Sequence, residues 1–202
     1  RSRPIFLLLG ATLYLTALLF FSVQLIIAKM LLPRLGGTPA VWTTCMLFFQ
    51  VLLLAGYAYV LLTTAWIGPR KQAVLHIVLL LLSLLYLPTA SGSLNSISEP
   101  SDSALGPALW LFGYLLTAIG LPIFLISTTS PLLQKWFTRT SHVAAKDPYF
   151  LFAVSNGGSL LALVSYPLVL EPTLRLSTQK RLWVAMYVAF LVLSLACGFV
   201  LW

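Results

Sequence analysis

The side chains able to do chemistry are few and mostly neutral. A run of four hydroxyls, Ser127-Thr128-Thr129-Ser130, is followed at once by Pro131. Three amides, Gln24, Gln50 and Asn156, stand in apolar surroundings. Such groups hydrogen-bond a ligand or a neighbouring helix; none is a nucleophile with a base beside it in sequence. The acidic residues are Glu99, Asp102, Asp147 and Glu171, and none falls in the middle of an apolar run, where a proton-coupled transporter places its ionisable group. His76 lies in an apolar run and His142 in a polar segment, so the matched depth of a bis-histidine haem is missing. Cys45 and Cys197 both sit within apolar runs and read as core thiols, with no metal-ligand spacing. No HExxH, Walker loop, GxGxxG or Ser/His/Asp set is present. The expectation is a segment with no catalytic residue, cofactor or metal of its own.

The elements that must position these residues are set by the charges. The chain has 202 residues, 60% hydrophobic and 8% charged, where a soluble domain is about 25% charged. The 16 charges leave uncharged runs at 4–28, 35–69, 72–98, 103–134, 148–170 and 182–202, each of at least 21 residues. A membrane-crossing helix needs about 20 apolar residues. The runs are continuously apolar rather than alternating, which favours helices over barrel strands. The expected fold is therefore all-α: one transmembrane domain over 1–202, a polytopic membrane bundle of six helices near 4–32, 40–65, 72–88, 105–131, 148–170 and 180–202.

The formal charge of +8 does not point to nucleic acid, because the 12 Lys and Arg flank helices without forming a basic face. They read as topology signals and lipid headgroup contacts, above all Arg70, Lys71, Lys135, Arg139 and Lys146. With the N-terminus inside, seven cations lie inside and five outside. The loop 88–107 carries Glu99 and Asp102 but no cation, which suits the outer face. Both termini are expected in the cytoplasm. Lys29 reads as a snorkelling interface anchor. Arg1 opens the chain and Trp202 lies within an apolar run, so the sequence is expected to be a piece of a longer chain.

Turn residues refine the picture. Pro33-Arg34-Leu35-Gly36-Gly37-Thr38-Pro39 reads as a tight turn joining the first two helices into an antiparallel hairpin, in which Gln24 and Gln50 have the chance to pair. The Leu-rich stretch 79–85 reads as lipid-facing, and the Ser-rich segment 89–104 as a loop. Gly120, Pro122 and the hydroxyl run before Pro131 predict a fourth helix that is bent or partly unwound. Asp147-Pro148 reads as an N-cap followed by a first-turn proline. Pro167 and Glu171-Pro172 read as the end of the fifth helix. Within that helix, Ala153/Gly157 and Gly158/Ala162 are small-x-x-x-small pairs, a seam for close helix packing.

Three stretches carry a resemblance. They are Val41-Trp42-Thr43-Thr44-Cys45 through Leu54-Ala55-Gly56-Tyr57-Ala58-Tyr59, then Leu125-Ile126-Ser127-Thr128-Thr129-Ser130-Pro131-Leu132-Leu133-Gln134-Lys135-Trp136-Phe137, and Asp147-Pro148-Tyr149-Phe150-Leu151-Phe152-Ala153-Val154-Ser155-Asn156-Gly157-Gly158-Ser159-Leu160. Together they resemble the membrane portion of bacterial fused major-facilitator/spermidine-synthase-like proteins. The resemblance implies a bacterial inner-membrane location and, in the whole protein, a following Rossmann-like domain. The glycine loop and carboxylates of such a domain have no counterparts here. Three functions stay open. The first is a non-catalytic scaffold, anchor or accessory subunit, in contact with the lipid bilayer and with other membrane subunits. The second is the membrane domain of a fused enzyme. The third is a half-transporter working as a dimer, its pathway lined by Gln24, Gln50, Asn156 and the hydroxyls at 127–130.

Overall fold

Continuous apolar sequence offers the backbone no partner but itself inside a bilayer, and the chain answers with helices. The computed structural model describes residues 2–93, 106–139 and 149–201. It contains α1 (Ser2–Leu35), α2 (Pro39–Trp66), α3 (Gly68–Ser93), α4 (Gly106–Phe137) and α5 (Tyr149–Ser165). A π-helical turn (Tyr166–Leu170) and a short α6 (Glu171–Thr173) prolong α5, and α7 (Leu176–Leu201) follows. No strand occurs among the described residues. Five stretches are long and apolar enough to cross a membrane: Ile5–Leu35, Pro39–Trp66, Gly106–Phe137, Tyr149–Thr173 and Leu176–Val200. The chain is an all-α, multi-pass membrane bundle. The predicted cap Asp147-Pro148, and Glu99, Asp102, His142 and Lys146, lie outside the described residues.

The predicted helix ends need correction, each for a local reason. α1 runs through Pro33 to Leu35, because a proline in the last turn withholds only one N–H bond. Gly36, at φ 73°, closes the helix by donating its N–H to the Leu32 carbonyl at 3.1 Å. The turn shrinks to Gly36–Thr38, and Thr38 Oγ1 accepts from the Val41 N–H with Pro39 in the first turn of α2. α3 begins at Gly68 (φ 73°) rather than 72 and runs to Ser93. α7 begins at Leu176 rather than 180, so Lys180 and Arg181 lie within its first turns.

The expected unwinding of α4 does not occur. The helix is unbroken from Gly106 to Phe137, with Pro122 and Pro131 inside it. The hydroxyls of the run stay with their own helix: Ser127 donates to the Ile123 carbonyl, and Thr128 and Thr129 both donate to Leu125, each at 2.8 Å. They brace the turn before Pro131 instead of marking a break. The fifth span also passes its proline. Pro167 sits in the π turn, where the Glu171 N–H reaches back five residues to the Tyr166 carbonyl, and helix persists to Thr173.

Packing departs from the hairpin expectation. α1 packs chiefly on α5 and α7, α2 packs chiefly on α4, and α1 touches α2 only lightly. Glycines decide this. A Cβ on Gly158 would lie 2.3 Å from the Tyr14 carbonyl oxygen, so α5 rests on the backbone of α1. A Cβ on Gly56 would lie 2.9 Å from the Ser127 Cβ and carbonyl carbon, so α2 rests on α4 in the same way. Polar ties complete the bundle. Trp183 Nε1 donates to the Leu19 carbonyl at 3.0 Å, joining α7 to α1. The Tyr187 hydroxyl donates to Ser83 Oγ at 3.0 Å, joining α7 to α3. Of the stretch 79–85 read as lipid-facing, Leu81, Leu82, Leu84 and Leu85 are exposed, while Leu80 and Ser83 are buried.

Candidate functional site

Where α1, α2, α4 and α5 meet, they leave a half-open cleft of about 340 Å³. Phe20, Phe21, Leu53 and Ile126 form its apolar walls. Thr16, Tyr57, Ser127, Ser130, Ser155, Asn156 and Ser159 supply polar groups from all four helices. No lining residue carries a formal charge.

The hydrogen bonds already made determine what the cleft offers. Thr16 donates to the Thr12 carbonyl at 2.6 Å, Ser127 to Ile123 and Ser159 to Ser155 at 3.2 Å. A hydroxyl donates once, so these three present only acceptor lone pairs. Ser130 Oγ accepts from Gln134 Nε2 at 3.2 Å. Tyr57, exposed on α2, and Asn156, exposed on α5, bring to the rim donors that have no partner among the described residues. The arrangement is suited to hydrogen-bonding a neutral polar group, and its lining residues carry no formal charge.

Of the predicted polar residues, Ser127, Ser130 and Asn156 come together in this cleft. Thr128 and Thr129 are buried and turned to their own helix. Gln24 is half-buried on α1, and Gln50 is exposed on α2. Neither lines the cleft, and no hydrogen bond joins the two among the described residues. Helix packing on other partners separates them: α2 turns its Phe48, Phe49 and Leu52 side inward and leaves Gln50 outside.

The small-residue seam is largely taken up within the chain. Gly158 and Ala162 are buried, and Gly157 faces the Tyr14 ring, 3.6 Å from where its Cβ would be. Ala153 is exposed. The headgroup cations Arg70 and Lys71 are exposed at the start of α3, above a surface groove lined by Val74, Leu75 and Val78. Lys135 is exposed in the last turn of α4, and Arg139 just beyond it.

Two buried glutamines escaped the sequence reading because they sit near helix ends, where polar residues look like solvated flanks. Gln72 Nε2 reaches Thr63 Oγ1 (2.7 Å), Thr64 Oγ1 (2.9 Å) and the Val60 carbonyl (3.3 Å). Its Oε1 accepts from Trp136 Nε1 at 3.3 Å, tying the α2–α3 corner to α4. Gln179 does the same at the other end of the bundle. It accepts from the Tyr166 hydroxyl at 3.1 Å and donates to the carbonyls of Leu170 (3.1 Å) and Leu174 (2.9 Å). Lys29, expected to snorkel, pairs with Glu171 at 3.3 Å, its side chain 33% exposed. His76 is buried beside Tyr59, ring centroids 6.2 Å apart, and both its nitrogens lack partners among the described residues. No protein family, curated protein or solved structure matches this chain.

Proposed function

We propose that this chain is an accessory or scaffold subunit of a larger membrane assembly, and that its α2–α5 face receives another membrane protein. The observation that carries the reading is the exposure of Gln50 and Asn156 well inside their spans. Gln50 lies 11 residues past Pro39, about 16 Å along the helix, and Asn156 lies 7 past Tyr149, about 10 Å. An amide without a partner in hydrocarbon costs roughly 1–3 kcal/mol. A partner helix that hydrogen-bonds it removes that cost. The fifth span is also the least buried of the five, with 17% of its apolar window inside the bundle, which leaves a broad face to cover.

The proposal includes six spans, with α3 as the third, and both termini in the cytoplasm of a bacterial inner membrane. The resemblance to fused major-facilitator/spermidine-synthase-like proteins belongs to the same proposal and supplies the compartment. The hydroxyl-lined cleft favours one second reading, a half-transporter completed by a second copy, with a neutral polar solute as its cargo. Blue-native electrophoresis of the tagged chain from its own membranes tests both. Each of the single variants Gln50→Leu and Asn156→Leu is expected to weaken association by roughly 3- to 20-fold, the range for one interhelical hydrogen bond, and the double variant by roughly 7- to 300-fold. A complex of two copies favours the second reading, and a monomer indifferent to the double variant refutes both.

A further inference from the structure

A second cleft, of about 260 Å³, lies where the last third of α1, the start of α2 and the π turn converge. Its charged residues are one of each sign, Lys29 and Glu171, 3.3 Å apart. Their side chains remain 33% and 48% exposed. Trp42 stands at the rim, exposed and with no hydrogen-bond partner for its indole N–H among the described residues, and Tyr166 forms part of the wall. Leu25, Ala28 and Leu163 carry the wall on as hydrocarbon.

The depth of this cleft is that of a headgroup. Lys29 lies six residues, about 9 Å, inside the end of α1 at Leu35. Trp and Tyr collect at that level because their rings are apolar with one polar tip. The position of Glu171 does not depend on Lys29. The π turn inserts one residue per turn relative to an α-helix, and Gln179 locks that turn through Tyr166, Leu170 and Leu174. Half-exposed ion pairs gain little net energy, so a ligand bringing the opposite charge to each partner opens this one without opening the fold.

We propose that the cleft binds one zwitterionic phospholipid with a primary ammonium, its phosphate on Lys29, its ammonium on Glu171 and an acyl chain along Leu25 and Leu163. Charge complementarity selects this lipid. An anionic headgroup satisfies Lys29 but meets the Glu171 carboxylate. A quaternary ammonium has no N–H to donate to that carboxylate, whereas a primary ammonium makes a charge-assisted hydrogen bond.

The test uses the full chain in nanodiscs holding equal parts phosphatidylethanolamine, phosphatidylglycerol and phosphatidylcholine. Lipids that stay bound after gentle release are read by native mass spectrometry. The expected result is enrichment of phosphatidylethanolamine by about tenfold, the factor one charge-assisted hydrogen bond supplies. Glu171→Gln should return the bound lipid to the bulk ratio, and Lys29→Gln should lower the amount of lipid retained, with helix content by circular dichroism unchanged in both. Bound lipid at the bulk ratio in the wild-type chain overturns the proposal, as does undiminished enrichment in Glu171→Gln. A second arm keeps the test open if a variant misfolds. Glycerophosphoethanolamine is added to the wild-type chain at the concentration of the lipid; failure to displace it supports a lipid site, and full displacement overturns it in favour of a free aminophosphate.

Discussion

Replacing Gly158 by alanine should destabilise the bundle, against the ordinary trend for a glycine inside a helix. The added Cβ would stand 2.3 Å from the Tyr14 carbonyl oxygen and 3.1 Å from its carbon, both backbone atoms that cannot rotate away. Ordinary C···O contact is about 3.3 Å, so α5 must withdraw from α1 by about 1 Å. A gap of that size forfeits a quarter to a half of each dispersion contact across the interface. Overpacking of this kind costs about 1–3 kcal/mol. Helix propensity returns about 1 kcal/mol, leaving a net loss of up to about 2 kcal/mol. Two glycines supply controls. Gly113 has nothing within 4 Å of its would-be Cβ, and Gly157 meets only the edge of the Tyr14 ring at 3.6 Å. Alanine at either should be neutral or stabilising by about 0.5–1 kcal/mol. Reversible unfolding in mixed micelles, followed by circular dichroism, reads all three variants. If Gly158→Ala is as stable as Gly113→Ala, the backbone contact between α1 and α5 is wrong.

Other predictions follow from the polar ties and the topology. Gln72→Leu should cost about 1–3 kcal/mol, because it strands the buried Trp136 N–H and removes the acceptor and donor that close the α2–α3 corner; unfolding in the same micelles checks it. Gln179→Leu should lower stability by a similar amount, and hydrogen exchange should show faster opening at 166–174, where the Leu174 carbonyl loses its side-chain donor and the Leu170 carbonyl keeps only the Leu174 N–H. Ser96→Cys should react with a membrane-impermeant maleimide on intact cells, and Thr138→Cys only after permeabilisation. The native Cys45 and Cys197 are buried and contribute little background. The opposite labelling pattern would invert the proposed orientation.

The spans were legible because the charges stand at their borders, and apolar runs of more than 20 residues have few other uses. Their ends were not, because prolines are less decisive than they look. Pro33 costs α1 one hydrogen bond in its last turn, Pro131 is braced by hydroxyls a turn earlier, and Pro167 is absorbed by a π turn. The glycines of the fifth span were legible as a seam, but no local pattern says that Gly158 meets Tyr14 of the same chain. Ser127, Ser130 and Asn156 were legible as polar groups in apolar runs, and the fold brings them together. Gln24 and Gln50 have the same local signature and stay apart, since residue type does not fix the rotation of a helix about its axis. The pair of Lys29 with Glu171 and the bond from Trp136 to Gln72 join residues far apart in the chain. Only tertiary packing reveals them.

The central claim is that the α2–α5 face is covered by protein rather than lipid. Photocrosslinking residues placed at positions 50 and 156, and at the outward-facing positions 85 and 199, compare the two surroundings directly. Leu85 and Phe199 are 76% and 87% exposed and belong to α3 and α7, away from the cleft. Irradiation of native membranes should yield a discrete protein adduct at 50 and 156 and lipid adducts alone at 85 and 199. Lipid adducts alone at all four positions would contradict the account.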